Sequence, residues 1–369
     1  MGHTPHSLIL SLSHSIPLYV AKNEAPVLIL SLLITLSLIG VVVWWLLQRS
    51  QIQIPNDPNL PTQSPANPSS SSGEPIAQTF AAVKNVPSGL FNYGGSTTWA
   101  PIRGQVDPVF QQVWSSFQLR YTDPVTGTPG SSSGIRMLLD NQLAFAQSSR
   151  SLKTEEYETA QQRGFTLREI PVGLDAIAIA VHPSLNIPGL TVDQLKGIYT
   201  GQITNWNQVG GPDLSITPYS RRVEDGGTVV FFLENVLGEA SLSNTVQFVA
   251  NTTSALRVLS ADPGGIYYAS APEVVGQCTI KPIPLGREPD KLIPPYQLPL
   301  VPESDCPAQR NQINADALKN GEYPLTRNLF VIVKQNGQID QQAGEAYADL
   351  LLTNEGQDLI SKAGFVRIR

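Results

Sequence analysis

Apolar and polar positions divide the chain into three regimes. Residues 25–47, APVLILSLLITLSLIGVVVWWLL, hold no charge; at about 1.5 Å per residue, a helix of that length crosses a hydrocarbon core of about 30 Å. Residues 48–79 are dominated by Pro, Ser, Asn and Gln, and such a stretch buries too little apolar surface to offset the entropy of ordering it. From residue 80 onward strand-like and helix-like patterns alternate. The run DAIAIAV, closing 167–181, predicts a strand, and NLFVIV at 328–333 a second. Apolar spacing at 229–237, 343–352 and 355–363 predicts helices, the first opening directly from a glycine turn. Interleaved strands and helices predict an α/β sheet with crossover connections, whose ligands sit where strands end and the next helices begin.

The 25–47 run reads as an uncleaved transmembrane anchor. It is longer than the apolar core of a secretory signal, no basic cluster precedes it, and no small-x-small cleavage site follows. Trp44 and Trp45 fit an interfacial belt. Lys22 and the amino terminus stand against Arg49, so the flanking charges alone do not set the direction of crossing. The 48–79 segment is then a linker, spanning about 30 Å on average as a coil. Residues 1–24 form an N-terminal tail with no predicted fold.

Composition narrows the function. With 369 residues, 41% of them hydrophobic, the chain can bury one or two substantial cores. Lys and Arg number 24 against 30 Asp and Glu, a net charge of −6. That argues against nucleic-acid binding, which draws on a basic excess, and requires any anion site to work through local donors. The two cysteines, Cys278 and Cys306, belong to no Cys-x-x-Cys or Cys/His cluster, so a structural zinc site has no ligands. They are either two buried thiols or one disulfide.

Candidate chemistry gathers in three turns rich in glycine and hydroxyls. The stretch 219–232, YSRRVEDGGTVVFF, offers Arg222 as a planar fork, Glu224 to hold it, Gly226 and Gly227 to let backbone N–H groups converge, and the Thr228 hydroxyl. NYGGSTTWAP at 92–101 and GTPGSSSGI at 127–135 repeat this logic at two further predicted helix starts. The second also fits a G-x-S-x-G nucleophile pattern centred on Ser132. That reading needs a histidine base, and the one histidine past the linker is His182, before Pro183. No turn ends in the Gly-Lys-Ser/Thr of a P-loop.

Seven blocks carry a resemblance: YGGSTTWAP (93–101), SSSGI (131–135), AQSSRSLK (146–153), LTVDQLKGIYTGQITNWNQVGG (190–211), RVEDGGT (222–228), NGEYPLTRNLFVIV (320–333) and LLTNEGQDLISKAGFV (351–366). Together they resemble the phosphate-binding proteins of ABC importers, a family of type II periplasmic binding folds. The resemblance implies two α/β lobes joined by a hinge, with an oxyanion clamped between them: lobe 1 at 80–183 and 281–369, lobe 2 at 184–280. Thr97 and Thr98 with Trp99 match the first contact loop, and Ser131 or Ser132 the second. Ser149 stands where the best-known members carry an aspartate, with Arg150 beside it as a substitute donor. Arg222 matches the binding arginine, Glu224 the acid that holds it, and Gly226 a position where serine is common; Gly227 and Thr228 complete that turn. Serine both accepts and donates, so rejection of sulfate is weaker than with aspartate.

The implied function is membrane-tethered, extracytoplasmic binding of inorganic phosphate or a related oxyanion, for delivery to an ABC permease and ATPase in the cytoplasmic membrane. The alternative is an oxyanion sensor or assembly protein on the same fold. Neither is an enzyme or needs a cofactor or metal. Both put the domain in the periplasm or outside the cell, the anchor's amino end inside, and Cys278 bridged to Cys306.

Overall fold

The computed structural model describes residues 77–223 and 226–369. Strands β1 (Gly89–Gly95), β2 (Phe117–Tyr121), β3 (Phe145–Ser148) and β4 (Thr166–Val181) alternate with helices α1 (Ala100–Val113), α2 (Ser131–Leu139) and α3 (Thr154–Gln162). The chain continues through β5 (Leu190–Thr191), α4 (Val192–Tyr199), β6 (Thr217–Ser220), α5 (Gly227–Phe232), β7 (Gln247–Phe248), α6 (Thr252–Leu259), β8 (Gly265–Ser270) and α7 (Ala271–Val274). Three short strands follow, β9 (Lys281–Ile283), β10 (Leu285–Glu288) and β11 (Lys291–Ile293), then α8 (Ala315–Lys319), β12 (Thr326–Gln335), α9 (Ile339–Leu352) and α10 (Asn354–Lys362).

Strand β4 ties two halves together. Among the described residues the main sheet runs β2-β1-β3-β12-β4-β8-β6-β7, with β9 also on β4. The first stretch of β4 pairs antiparallel with β12, from Thr166 opposite Gln335 to Ala176 opposite Thr326. From Ile177 onward β4 changes partners, pairing with β8 and, from Ile179, with β9. Ala176 to Val181 are fully buried, which explains the unbroken apolar run: a strand covered on both faces has no polar side to show. Parallel β1–β2 and β1–β3 pairs build the first half, and parallel β6–β7 and β6–β8 pairs the second.

Each half has its own core. In the first, Tyr93, Phe145 and Tyr347 pack ring against ring, with Phe110 edge-on to Tyr347. In the second, Phe232 stacks on Tyr268 with centroids 3.6 Å apart, and Tyr199 meets both edge-on. Such pairs contribute about 0.5–1.5 kcal/mol beyond area burial. The LTVDQL sequence starts α4 with a reciprocal cap: Thr191 Oγ1 accepts the Gln194 N–H at 3.1 Å, and the Gln194 side chain accepts the Thr191 N–H at 2.8 Å.

The division between halves differs from the expected 183/184 and 280/281. Ile283, Leu285, Tyr296, Leu318, Tyr323 and Leu325 all pack in the second core, as do Ile177 to Val181. The crossings therefore lie where β4 changes partners, after Ala176, and where β12 begins, at Thr326. Tyr323 marks the second crossing by donating its hydroxyl to the Ile177 carbonyl at 3.0 Å. The helix expected at 229–237 is α5 followed by a wider π-helical turn at Leu233–Leu237. Cys278 and Cys306 are disulfide-bonded, with Cα atoms 5.7 Å apart across 28 positions. Among the described residues no helix is long and apolar enough to cross a membrane; the anchor and linker expected at 25–47 and 48–79 lie almost wholly outside them.

Candidate functional site

The three glycine-hydroxyl turns converge at the line between the halves. The first leaves β1 at Gly95 and makes a tight 3-10 turn at Thr97–Trp99. Helix α2 lies hard against it, since a Cβ on Gly134 would come within 2.4 Å of the Gly95 Cα. That contact brings the start of α2 beside Ser96. Ser96 Oγ donates to Ser149 Oγ at 3.0 Å; Ser149 Oγ is 3.3 Å from Ser131 Oγ, which also accepts the Ser149 N–H at 3.1 Å. All three serines are fully buried.

The second half closes onto this serine cluster through Gly226–Thr228. A Cβ on Gly227 would lie 2.7 Å from both Ser131 Oγ and Ser149 Oγ, and one on Gly130 would lie 3.3 Å from the Gly226 Cα. Gly226 has φ +135° and faces Thr97 Oγ1 at 3.5 Å from its would-be Cβ, so a serine at that position would be strained. Thr98 Oγ1 and Thr228 Oγ1 approach to 3.4 Å across the boundary. Trp99 is anchored instead: its ring is buried and its Nε1 donates to the Ser148 carbonyl at 3.1 Å.

Two buried arginines stand behind these hydroxyls. Arg327 on β12 pairs with Asp175 on β4, through Nε at 3.0 Å and Nη2 at 2.7 Å to the same carboxylate oxygen. Arg327 Nη2 also reaches Thr98 Oγ1 at 3.2 Å and Thr228 Oγ1 at 3.0 Å, and Nη1 the Gly227 carbonyl at 3.2 Å. Arg150 forks onto Glu156 at 2.7 and 3.0 Å and donates from Nη2 to Ser132 Oγ at 2.9 Å. Its buried Nε has no hydrogen-bond partner among the described residues. Both pairs are desolvated, and removing one member of such a pair costs about 3–5 kcal/mol by stranding the other charge.

Arg222 is not brought to this cluster. It is exposed and stacks over the Phe248 ring at 5.7 Å, while Arg221 turns inward and puts Nη2 3.9 Å from the would-be Cβ of Gly226. Glu224 lies outside the described residues. Ser132 meets an arginine, not an imidazole; His182 is a loop residue whose Nδ1 bonds Ser184 Oγ at 2.8 Å. The G-x-S-x-G pattern thus carries no nucleophile–base pair through His182.

Burial also shapes the titration of nearby groups. Glu273 in α7 has its carboxyl pushed up chiefly by desolvation, with the Asp175 charge adding; a bond from Thr252 and the charges of Arg221 and Arg327 oppose this. Beneath the first turn, Arg103 donates to the Ser96 carbonyl and to Gln147 Oε1, Gln147 to the Tyr347 hydroxyl, and Tyr347 to Asp107. Asp107 also accepts from Tyr93, and burial raises its carboxyl above the ordinary range.

Residues 91–355 match a family model described as a PBP superfamily domain. The chain belongs to the PBP superfamily. Relatives include the phosphate-binding protein PstS of Borreliella burgdorferi, 25% identical over 285 residues and covering 76% of this chain and 90% of that protein. Protein SphX of Synechococcus elongatus is 26% identical over 286 residues, 75% of this chain and 77% of that one. Among solved structures, a Clostridium perfringens ABC-transporter substrate-binding protein containing bound phosphate aligns with TM-score 0.60 and 22% identity over 76% of this chain and all of that one. An ABC-type phosphate transport receptor from Vibrio cholerae aligns with TM-score 0.58 and 24% identity over 75% of this chain and 99% of that one. At these identities the structures establish a shared two-lobed α/β PBP fold.

Within this PBP domain, sequence reading missed Ser96, Asp175, Arg327 and Arg221. A signal was present for two of them. Asp175 opens the apolar run of β4 and Arg327 begins that of β12, and a charge at the head of a buried strand demands a partner. Their pairing across 152 positions is a matter of register.

Proposed function

We propose that this PBP domain binds inorganic phosphate between its two halves and delivers it to an ABC importer. The observation that carries the reading is the meeting of hydroxyls and backbone turns from both halves, Thr97, Thr98, Ser131, Ser132 and Ser149 facing Gly226, Gly227 and Thr228, in front of buried arginines. Such groups hold a multiply charged oxyanion by charge-assisted hydrogen bonds, and opening and closing of the halves would admit and trap it. Arg221, on the inward side of its loop, takes the charge-bearing place expected of Arg222. Trp99 and Arg150 support the contact loops from behind.

Relatives named as phosphate-binding proteins support phosphate as the ligand and favour delivery over sensing. Binding without chemistry fits a site whose hydroxyls are held by arginines and one another. In this account residues 25–47 anchor the chain in the cytoplasmic membrane, 48–79 tether the domain outside it, and a tethered binder meets a membrane permease at raised effective concentration. Equilibrium dialysis of the full chain against radiolabelled phosphate tests the reading. Saturable one-site uptake is expected; no retained label at any concentration would contradict it.

A further inference from the structure

Arg327 meets both halves and both crossing strands at once. Its side chain and that of Asp175 are 2% and 0% exposed. Asp175 is fully engaged: one carboxylate oxygen takes two donors from Arg327, and the other takes the Ser270 hydroxyl at 2.6 Å. What remains of the guanidinium points at Gly227, Thr98 and Thr228. Among the described residues, Glu273 in α7 feels the charges of Asp175 on β4, Arg221 after β6 and Arg327 itself.

A guanidinium only donates, and a threonine hydroxyl has a single proton. With Arg327 on the accepting side of Thr98 and Thr228, their protons are left for other partners. At most one is used in the 3.4 Å contact between the two threonines, so the pair always has a proton to give outward. The same pattern repeats opposite: Ser132 accepts from Arg150, Ser131 from the Ser149 N–H, and Ser149 from Ser96. Glu156, like Asp175, has both oxygens occupied, by Arg150 and by the Lys153 N–H. The described groups lining the meeting of the halves thus offer protons.

We propose that Arg327 is a positioning residue that turns Thr98 and Thr228 into donors, so that the site favours tetrahedral oxyanions carrying few protons, sulfate and the hydrogenphosphate dianion over dihydrogen phosphate. The inference rests on the oxyanion-binding reading above. Each proton on a phosphate turns an accepting oxygen into a donor that faces donors, and costs about tenfold or more in affinity for each bond so spoiled; the monoanion carries two such protons, the dianion one and sulfate none.

The test uses the full chain, titrated with inorganic phosphate and with sulfate at about pH 5.5 and about pH 8, on either side of the second ionisation of phosphate. Wild type is expected to bind phosphate about tenfold more tightly at the higher pH, and sulfate without such a gain. Sulfate does not titrate in this range, so it reports any change from Glu273 or other protein groups. Arg327→Lys keeps a donor-only group and is expected to keep the profile. Arg327→Gln with Asp175→Asn removes the pair without stranding a charge, and Gln can accept as well as donate; the rise with pH and the retention of sulfate should both shrink. Phosphate bound with sulfate rejected would overturn the proposal. So would a double variant whose melting temperature falls while its pH profile and sulfate-to-phosphate ratio stay as in wild type, since Arg327 would then be structural only. A wild type that binds neither anion refutes the oxyanion reading itself, and this proposal with it.

Discussion

Gly227 faces Ser149 so closely that a Cβ on the glycine would lie 2.7 Å from the serine Oγ. The contact joins opposite halves, so the glycine sets how far they can approach. Gly227→Ala is expected to hold the halves apart and weaken phosphate binding by about tenfold or more, while costing only about 1 kcal/mol or less of stability because the strain is relieved by opening. Paired binding and denaturation measurements check this; an alanine variant that binds like wild type would show that the approach is not needed.

The two adjacent arginines should separate cleanly. Arg221 turns toward the Gly226 turn and Arg222 toward Phe248. Arg221→Ala is expected to cut phosphate affinity by about tenfold or more, the worth of a charge-assisted bond, and Arg222→Ala to change it by less than about threefold, as for an exposed charge. The reverse ranking in a binding titration would restore Arg222 to the site.

The disulfide closes a loop of 28 positions between the end of α7 and the segment before α8. On the chain-entropy model it contributes about 3–4 kcal/mol. Reduction, or the Cys278→Ser/Cys306→Ser variant, is therefore expected to lower the urea midpoint markedly, since the closed loop packs on the second core. An unchanged midpoint would contradict this.

Asp107 supplies a pH signature. Burial raises its folded-state pKa, so the folded chain carries a penalty for ionising it that is complete above that value and is relieved as pH falls toward the unfolded carboxylate range. Wild type should therefore gain stability relative to Asp107→Asn as pH is lowered from neutral into the acid range. Denaturant titrations of both proteins at several pH values test the sign; a constant or shrinking advantage for wild type would contradict it.

Much of this was legible in the sequence, for physical reasons that also explain the rest. DAIAIAV reads as a strand because both faces of β4 are covered there, and the glycine-hydroxyl turns stand out because few other residues allow backbone to approach so closely. The crossing point was not legible: β10 pairs with β5, Leu285 opposite Leu190, and β9 with the far end of β4, contacts that no local pattern encodes. Which of Arg221 and Arg222 faces inward follows from the register of β6 on β8, Thr217 opposite Gly265, and a slip of one residue would exchange them. The Asp175–Arg327 pair was hidden likewise, each charge sitting at the head of an apolar run whose partner strand is far along the chain.

The central claim is that one oxyanion is held jointly by the two halves. Calorimetric titration of the full chain with phosphate, compared with Ser131→Ala from one half and Thr228→Val from the other, tests it most directly. The account predicts one site per chain, weakened by about tenfold or more by either change alone. Absence of binding in wild type, or binding that only one half's variant disturbs, would contradict it.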